Sequence, residues 1–140
     1  MHFAYSRLKI LIPGFNRRSF RREDIKELVF SRGAYLIEDR FKKPGYYATD
    51  GTDDFIFIDN RLRGFNYYDA LFHEVTHFLL HYPCFFLHSK HQYEAELLAV
   101  LFMIPRRKLF EYFYTPFELI DSRLVPFLIR RQRFYELYKK

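Results

Sequence analysis

The sequence has no tryptophan and a single cysteine, Cys84. A lone thiol excludes an internal disulfide and suits a reducing compartment, so a cytoplasmic protein is expected. No apolar run reaches the roughly 20 residues a spanning helix needs, because Arg, Lys, Asp or Glu interrupts each one. No membrane association is expected. Near the N-terminus the run Ile10-Leu11-Ile12 is cut by Pro13-Gly14, well short of a signal-peptide core, which argues against export. Internal repeats, low-complexity tracts and linkers are lacking too. At 140 residues the chain is expected to form one domain, 1–140, around one core.

What is plentiful is aromatic and basic. Phe (18) and Tyr (12) must supply much of that core. The net charge of +6 is concentrated at residues 106–140, where nine Lys/Arg stand against four acids. Such an end suits a solvated surface, an acidic protein partner or nucleic acid. The rival to any catalytic reading is therefore a regulatory module with a non-catalytic metal site, one that contacts nucleic acid through Arg130, Arg131, Arg133, Lys139 and Lys140 or binds a protein partner.

Local signals divide the chain. Ser19 through Asp24 reads as a helix start and Gly33 as its stop, giving a helix over 25–32. Residues 34–39 and 54–59 read as strands bounded by turn residues, with a third strand over 45–48. The unbroken run Phe55-Ile56-Phe57-Ile58 implies that both faces of its strand are covered. Asn66 or Asp69 is expected to cap a helix running to His81 and stopped by Pro83. A largely apolar helix is expected from about 89–91 to 103, ended by Pro105, and shorter helices over 108–114, 116–120 and 126–138. The expected fold class is α+β: a small, mainly antiparallel sheet packed on two long helices, with a short helical C-terminal end.

The first of those helices carries His73-Glu74-Val75-Thr76-His77, an H-E-x-x-H sequence. Residues four apart lie about 40° apart around a helix, so both imidazoles leave one face and can share a metal ion. Glu74, beside that face, is placed to act as the general base. Two imidazoles and one more protein ligand leave an open position, the arrangement of a catalytic zinc. The pentapeptide is short and recurs by chance, but here it falls on a segment that independently reads as a helix. For the third ligand, periodicity does not choose. Glu94 and Glu96 point to nearly opposite sides of the next helix, and His88 and His91 compete. His81 reads as a neighbour of the site, Cys84 as packing, and any of Tyr46, Tyr47, Tyr82 or Tyr93 as the oxyanion donor.

Two stretches resemble the ImmA/IrrE family of metallo-endopeptidases. One is His73-Glu-Val-Thr-His-Phe-Leu-Leu-His81. The other is Glu94-Ala95-Glu96-Leu97-Leu98-Ala99-Val100-Leu101-Phe102-Met103-Ile104-Pro105, similar to that family's E-A-N-x-F-A-A-x-L-L-M-P, with Glu96 where Asn is usual. Weaker similarity at Gly45-Tyr46-Tyr47, 55–60 and 125–134 extends it from about residue 23 to the end. The resemblance implies a zinc endopeptidase with His73, His77 and Glu94 as ligands of one Zn2+, Mn2+ being the alternative ion, and with Glu74 as catalytic base. It further implies a protein substrate, a helix-turn-helix repressor or antitoxin cut once.

Overall fold

The computed structural model describes residues 2–81 and 89–139. Helices α1 (His2–Leu11) and α2 (Arg22–Phe30) lead into strands β1 (Ala34–Asp39), β2 (Gly45–Thr49) and β3 (Asp54–Asp59). The long helices α3 (Gly64–His81) and α4 (Ser89–Met103) follow. Then come α5 (Arg106–Phe113), two single 3-10 turns (Phe117–Leu119 and Ser122–Leu124) and α6 (Val125–Lys139). The class is α+β with a helical C-terminal end, as expected. Among the described residues, no helix is long and apolar enough to cross a membrane.

The sheet is mixed, with strand order β1-β3-β2. β1 runs parallel to β3, and β2 runs antiparallel to it. A tight turn over 50–53 joins β2 to β3: the Asp50 carboxylate accepts from the backbone N–H groups of Thr52 (2.9 Å) and Asp53 (2.7 Å), and Gly51 supplies the positive φ. The last strand therefore inserts between the first two. The inner face of β3 presents Ile56 and Ile58, both fully buried beneath the helices. Its outer face is covered by neighbouring rings and not by a helix: Phe57 stacks on Tyr46 at 4.6 Å, Phe55 on Tyr35 at 5.8 Å, and Phe41 meets Phe57 edge-on at 5.3 Å. That explains why the run 55–58 does not alternate.

Helix α1 has no counterpart in the expectations. Its one stripe, Ala4, Tyr5 and Leu8, continues through Ile12 into the main core, where Tyr5 lies 5.3 Å from the Phe134 ring of α6. α2 opens on Asp24, whose carboxylate accepts from the Arg21 N–H at 2.9 Å. α3 starts at Gly64, ahead of both expected caps, so Asp69 lies inside the helix, in an ion pair with Arg130 at 2.7 Å. The segment 116–120 forms only a 3-10 turn.

One polar cluster ties α2, β1 and α3 together. Glu38, on the inner face of β1, accepts from Arg22 Nε at 2.7 Å and from the Tyr67 hydroxyl through a short bond. Burial alone would raise the Glu38 pKa, but the hydrogen bonds from Arg22 and Tyr67 outweigh it and hold the carboxyl below its ordinary range. The folded carboxyl thus titrates below the unfolded one. Its contribution is complete above the unfolded value of about 4.3 and is lost as pH falls through the folded value. Glu38→Gln should cost about 1–2 kcal/mol at pH 7, a figure held down because Arg22 is 39% exposed. Urea titrations of both proteins at pH 7 and near pH 3 would test this: the gap between them should close at the lower pH.

Candidate metal centre

α3 turns three histidines toward α4 at four-residue intervals, while Leu71, Phe72, Val75 and Phe78 face the core. Phe72 stacks on Phe102 of α4 with centroids 4.6 Å apart and planes only 8° from parallel, and Ala95 and Ala99 are fully buried along α4. Thr76 satisfies its hydroxyl inside α3 by donating to the Phe72 carbonyl at 2.7 Å. With the two helices fixed in this way, the polar start of α4 lies across the histidine stripe.

There, the Nε2 atoms of His73 and His77 approach to 3.0 Å, and the Gln92 Oε1 lies 2.9 Å from the first and 3.0 Å from the second. His77 Nδ1 meets His81 Nδ1 at 2.8 Å, and His81 Nε2 meets Glu94 Oε1 at 2.8 Å. The His91 ring packs on His81 at 4.4 Å. The structure thus brings two of the three expected ligands together and leaves the third beside them. His73 and His77 converge on each other. Glu94 stands one imidazole back, on His81. Glu96 points to solvent. Sequence reasoning missed Gln92, which bears a neutral amide and carries no signal in a motif written for histidines and acids.

Three converging atoms with mutual separations of 2.9–3.0 Å fit a cation. Tetrahedral zinc with bonds of about 2.0–2.1 Å holds its ligand atoms roughly 3.3 Å apart, so only a small outward movement of each donor is needed. Among the described residues no three His, Cys, Asp or Glu side chains form a ready cage, because the third atom at the pair is an amide oxygen. His77 is suited to ligation by its protonation state. Burial pushes its pKa down to about 4, the Gln92 hydrogen bond opposes this, and His73, His81 and His91 add to it. The ring is neutral at neutral pH, the form a metal requires.

Glu74 leaves α3 on the side of the sheet. It lines a cleft of about 400 Å³ with His73, Asn66 and Ala70 from α3 and with Pro44 and Gly45 from the start of β2. Burial raises its pKa to about 7, and the charge of Lys43 opposes the shift only in part. A carboxyl half-ionised near neutrality can both take and return a proton.

The remaining candidates among the described residues fall outside the cleft. Tyr46 lies on the outer face of the sheet, Tyr47 donates to Asp54 at 2.5 Å, and Tyr93 is exposed. Tyr82, Cys84, His88 and the Pro83 stop lie outside the described residues. The expected basic face at the C-terminal end is also not as the composition suggests: Arg130 is bound to Asp69 and Arg131 is buried, so neither adds to a solvated basic surface. No protein-family model matches the chain, and no curated protein matches it either.

Gly45 is required by the close approach of β2 to α3, since a Cβ there would lie 2.9 Å from Glu74 Cγ and 3.1 Å from Ile58 Cδ1. Gly45→Ala should lower stability by about 1–3 kcal/mol through overpacking. Part of that loss should return in Gly45→Ala/Glu74→Ala, as denaturant midpoints of the four proteins in a double-mutant cycle would show. Strict additivity would mean that the two residues do not press on each other.

Proposed function

We propose that the protein is a zinc-dependent endopeptidase that makes a limited cut in a partner protein, and that it works in the cytoplasm. The observation that supports this most is the pairing, on one helix, of a converging neutral His73/His77 pair with a half-buried Glu74 that opens into a cleft. His73 and His77 are the metal ligands. The third comes from the start of α4. The family resemblance assigns it to Glu94, a carboxylate that zinc prefers to an amide oxygen, with Gln92 holding the place nearest the imidazoles.

Zinc, when bound, would supply a Lewis acid that polarises the scissile carbonyl and lowers the pKa of water to about 7. The chain's own residues carry the proton. Glu74 accepts it from the attacking water and returns it to the leaving amine, a double task suited to a pKa near 7. Substrate enters along β2, an edge strand in the order β1-β3-β2, whose start at Gly45 lines the cleft beside Glu74. An extended segment added to that edge would gain backbone hydrogen bonds and bring its bond to the carboxylate. The resemblance points to a helix-turn-helix regulator as the target.

His73→Ala and His77→Ala should each abolish metal content in elemental analysis. Glu74→Gln should keep the metal and lose about 10²–10⁴-fold in cleavage of a helix-turn-helix regulator encoded beside this protein, in a reaction a chelator stops. Near-wild-type cleavage by Glu74→Gln would remove the general-base role. If salt-sensitive nucleic-acid binding is found and metal-loaded protein cuts no neighbouring regulator, the rival reading stands.

The third ligand is decided by three variants. Glu94→Ala should lower zinc occupancy at limiting metal by more than about tenfold, and Glu96→Ala should leave it unchanged. If Gln92→Ala loses zinc and Glu94→Ala does not, the amide is the ligand and Glu94 only orients His81.

A further inference from the structure

Away from the metal centre, a second cavity of about 430 Å³ lies where α1, α5 and α6 meet, within the size range of small-molecule sites. Its polar wall is the side chain of Arg131, only 3% exposed, together with Arg106. Its apolar wall includes Leu109, Phe110 and Phe113 of α5, with Phe110 and Phe113 left 53% and 66% exposed. α5 has no buried residue, so its aromatic side is uncovered by the rest of the fold.

A buried guanidinium normally has a carboxylate partner, because removing its charge from water costs several kcal/mol per ion. Arg131 has none among the described residues. Its Nε donates to the Ile104 carbonyl at 2.8 Å and one terminal nitrogen donates to the Asn16 side-chain oxygen at 3.0 Å. Both acceptors are neutral. The other terminal nitrogen, Nη1, makes no hydrogen bond to a described residue, yet no side-chain polar atom is both sealed from solvent and unpaired. Nη1 therefore reaches the open space of the cavity. The Arg131 pKa is lowered to about 10, mainly by burial and in smaller part by the neighbouring Arg106 charge, with Tyr5 opposing the shift.

The arm that holds this nitrogen is rigid. Asn16, in the left-handed region at φ 65°, donates its amide to the Tyr5 hydroxyl at 2.9 Å while accepting from Arg131, and its backbone carbonyl accepts from the Arg106 N–H at 2.9 Å. One residue thus ties the Arg131 guanidinium and the Arg106 backbone to α1. Two neighbouring cations with no carboxylate partner among the described residues, opening onto uncovered aromatic rings, describe a binding site for an amphipathic anion. The planar fork of arginine matches a carboxylate.

We propose that this cavity binds a small organic carboxylate with an apolar or aromatic body, its carboxylate on Arg131 and Arg106 and its body against Leu109, Phe110 and Phe113. The site is separate from the metal centre, and binding there is read without any peptidase assay.

The test is calorimetric titration of the full chain with 4-phenylbutyrate, its neutral analogue 4-phenylbutanol, acetate and inorganic phosphate. Phenylbutyrate should bind saturably, with the alcohol and acetate each at least about tenfold weaker, since one lacks the charge and the other the body. Arg106→Gln, a change at an exposed side chain, should weaken phenylbutyrate about tenfold and leave the alcohol unaffected. Arg131→Lys, which keeps the charge and loses the fork, should weaken it as well. Arg133→Gln, an exposed arginine outside the cavity, should change nothing. Equal affinity for acid and alcohol, no saturable binding of phenylbutyrate, or an equal loss in Arg133→Gln would overturn the proposal. Phosphate binding as tightly as phenylbutyrate would replace the carboxylate class with a phosphate one.

Discussion

The face-to-face contact of Phe72 with Phe102 fixes α3 against α4, and everything at the histidine stripe depends on it. Those two rings are among the largest fully buried side chains in the molecule. Helices slide along and rotate about each other unless something interlocks. A stacked pair with 8° between its planes, next to the small side chains of Ala95 and Ala99, removes that freedom. Register follows. With Phe102 opposite Phe72, the first turns of α4 lie opposite residues 73–81, and Gln92 and Glu94 meet successive imidazoles. The candidate metal centre is thus set by apolar packing about ten residues away along α4.

Burial also tunes the two chemical partners in opposite senses. The same withdrawal from water that keeps His77 uncharged also keeps Glu74 partly protonated, because each loses the solvation of its charged form. A neutral imidazole and a carboxyl near 7 would both serve the proposed hydrolysis, and one helix carries them three residues apart. His81 and Glu94 continue the stripe outward and hold the His77 ring at its other nitrogen, which fixes its orientation.

Much of this was legible in the residues. β1 and β3 fall where turn residues bracket them, and α3 and α4 where the apolar spacing and prolines set them. The parallel pairing of β1 with β3 was not legible. Short strands carry no mark of direction, and the contacts by which Glu38 ties β1 to Arg22 and Tyr67 come from other elements that no strand pattern reveals. α1 was missed because its stripe is short and lacks a cap, so its helix rests on tertiary contacts. Glu94 and Gln92 show the limit of motif reasoning: two residues apart at a helix start, they are told apart only by where α4 meets α3. The burial of Arg131 did leave a signal. Leu124, Phe127, Arg131 and Phe134 are spaced three, four and three apart, all buried, so a charge sits in the middle of an apolar stripe that a count of basic residues reads as surface.

The bond from Arg131 to Asn16 joins residues 115 positions apart. The stripe of α1 need not wait for the whole of that span, because it meets α3, which is complete by residue 81. Asn16 gains its cation only when residue 131 has followed. Docking of α1 on α3 and its fastening to α6 are therefore separate events in the growth of the chain, the second well after the first.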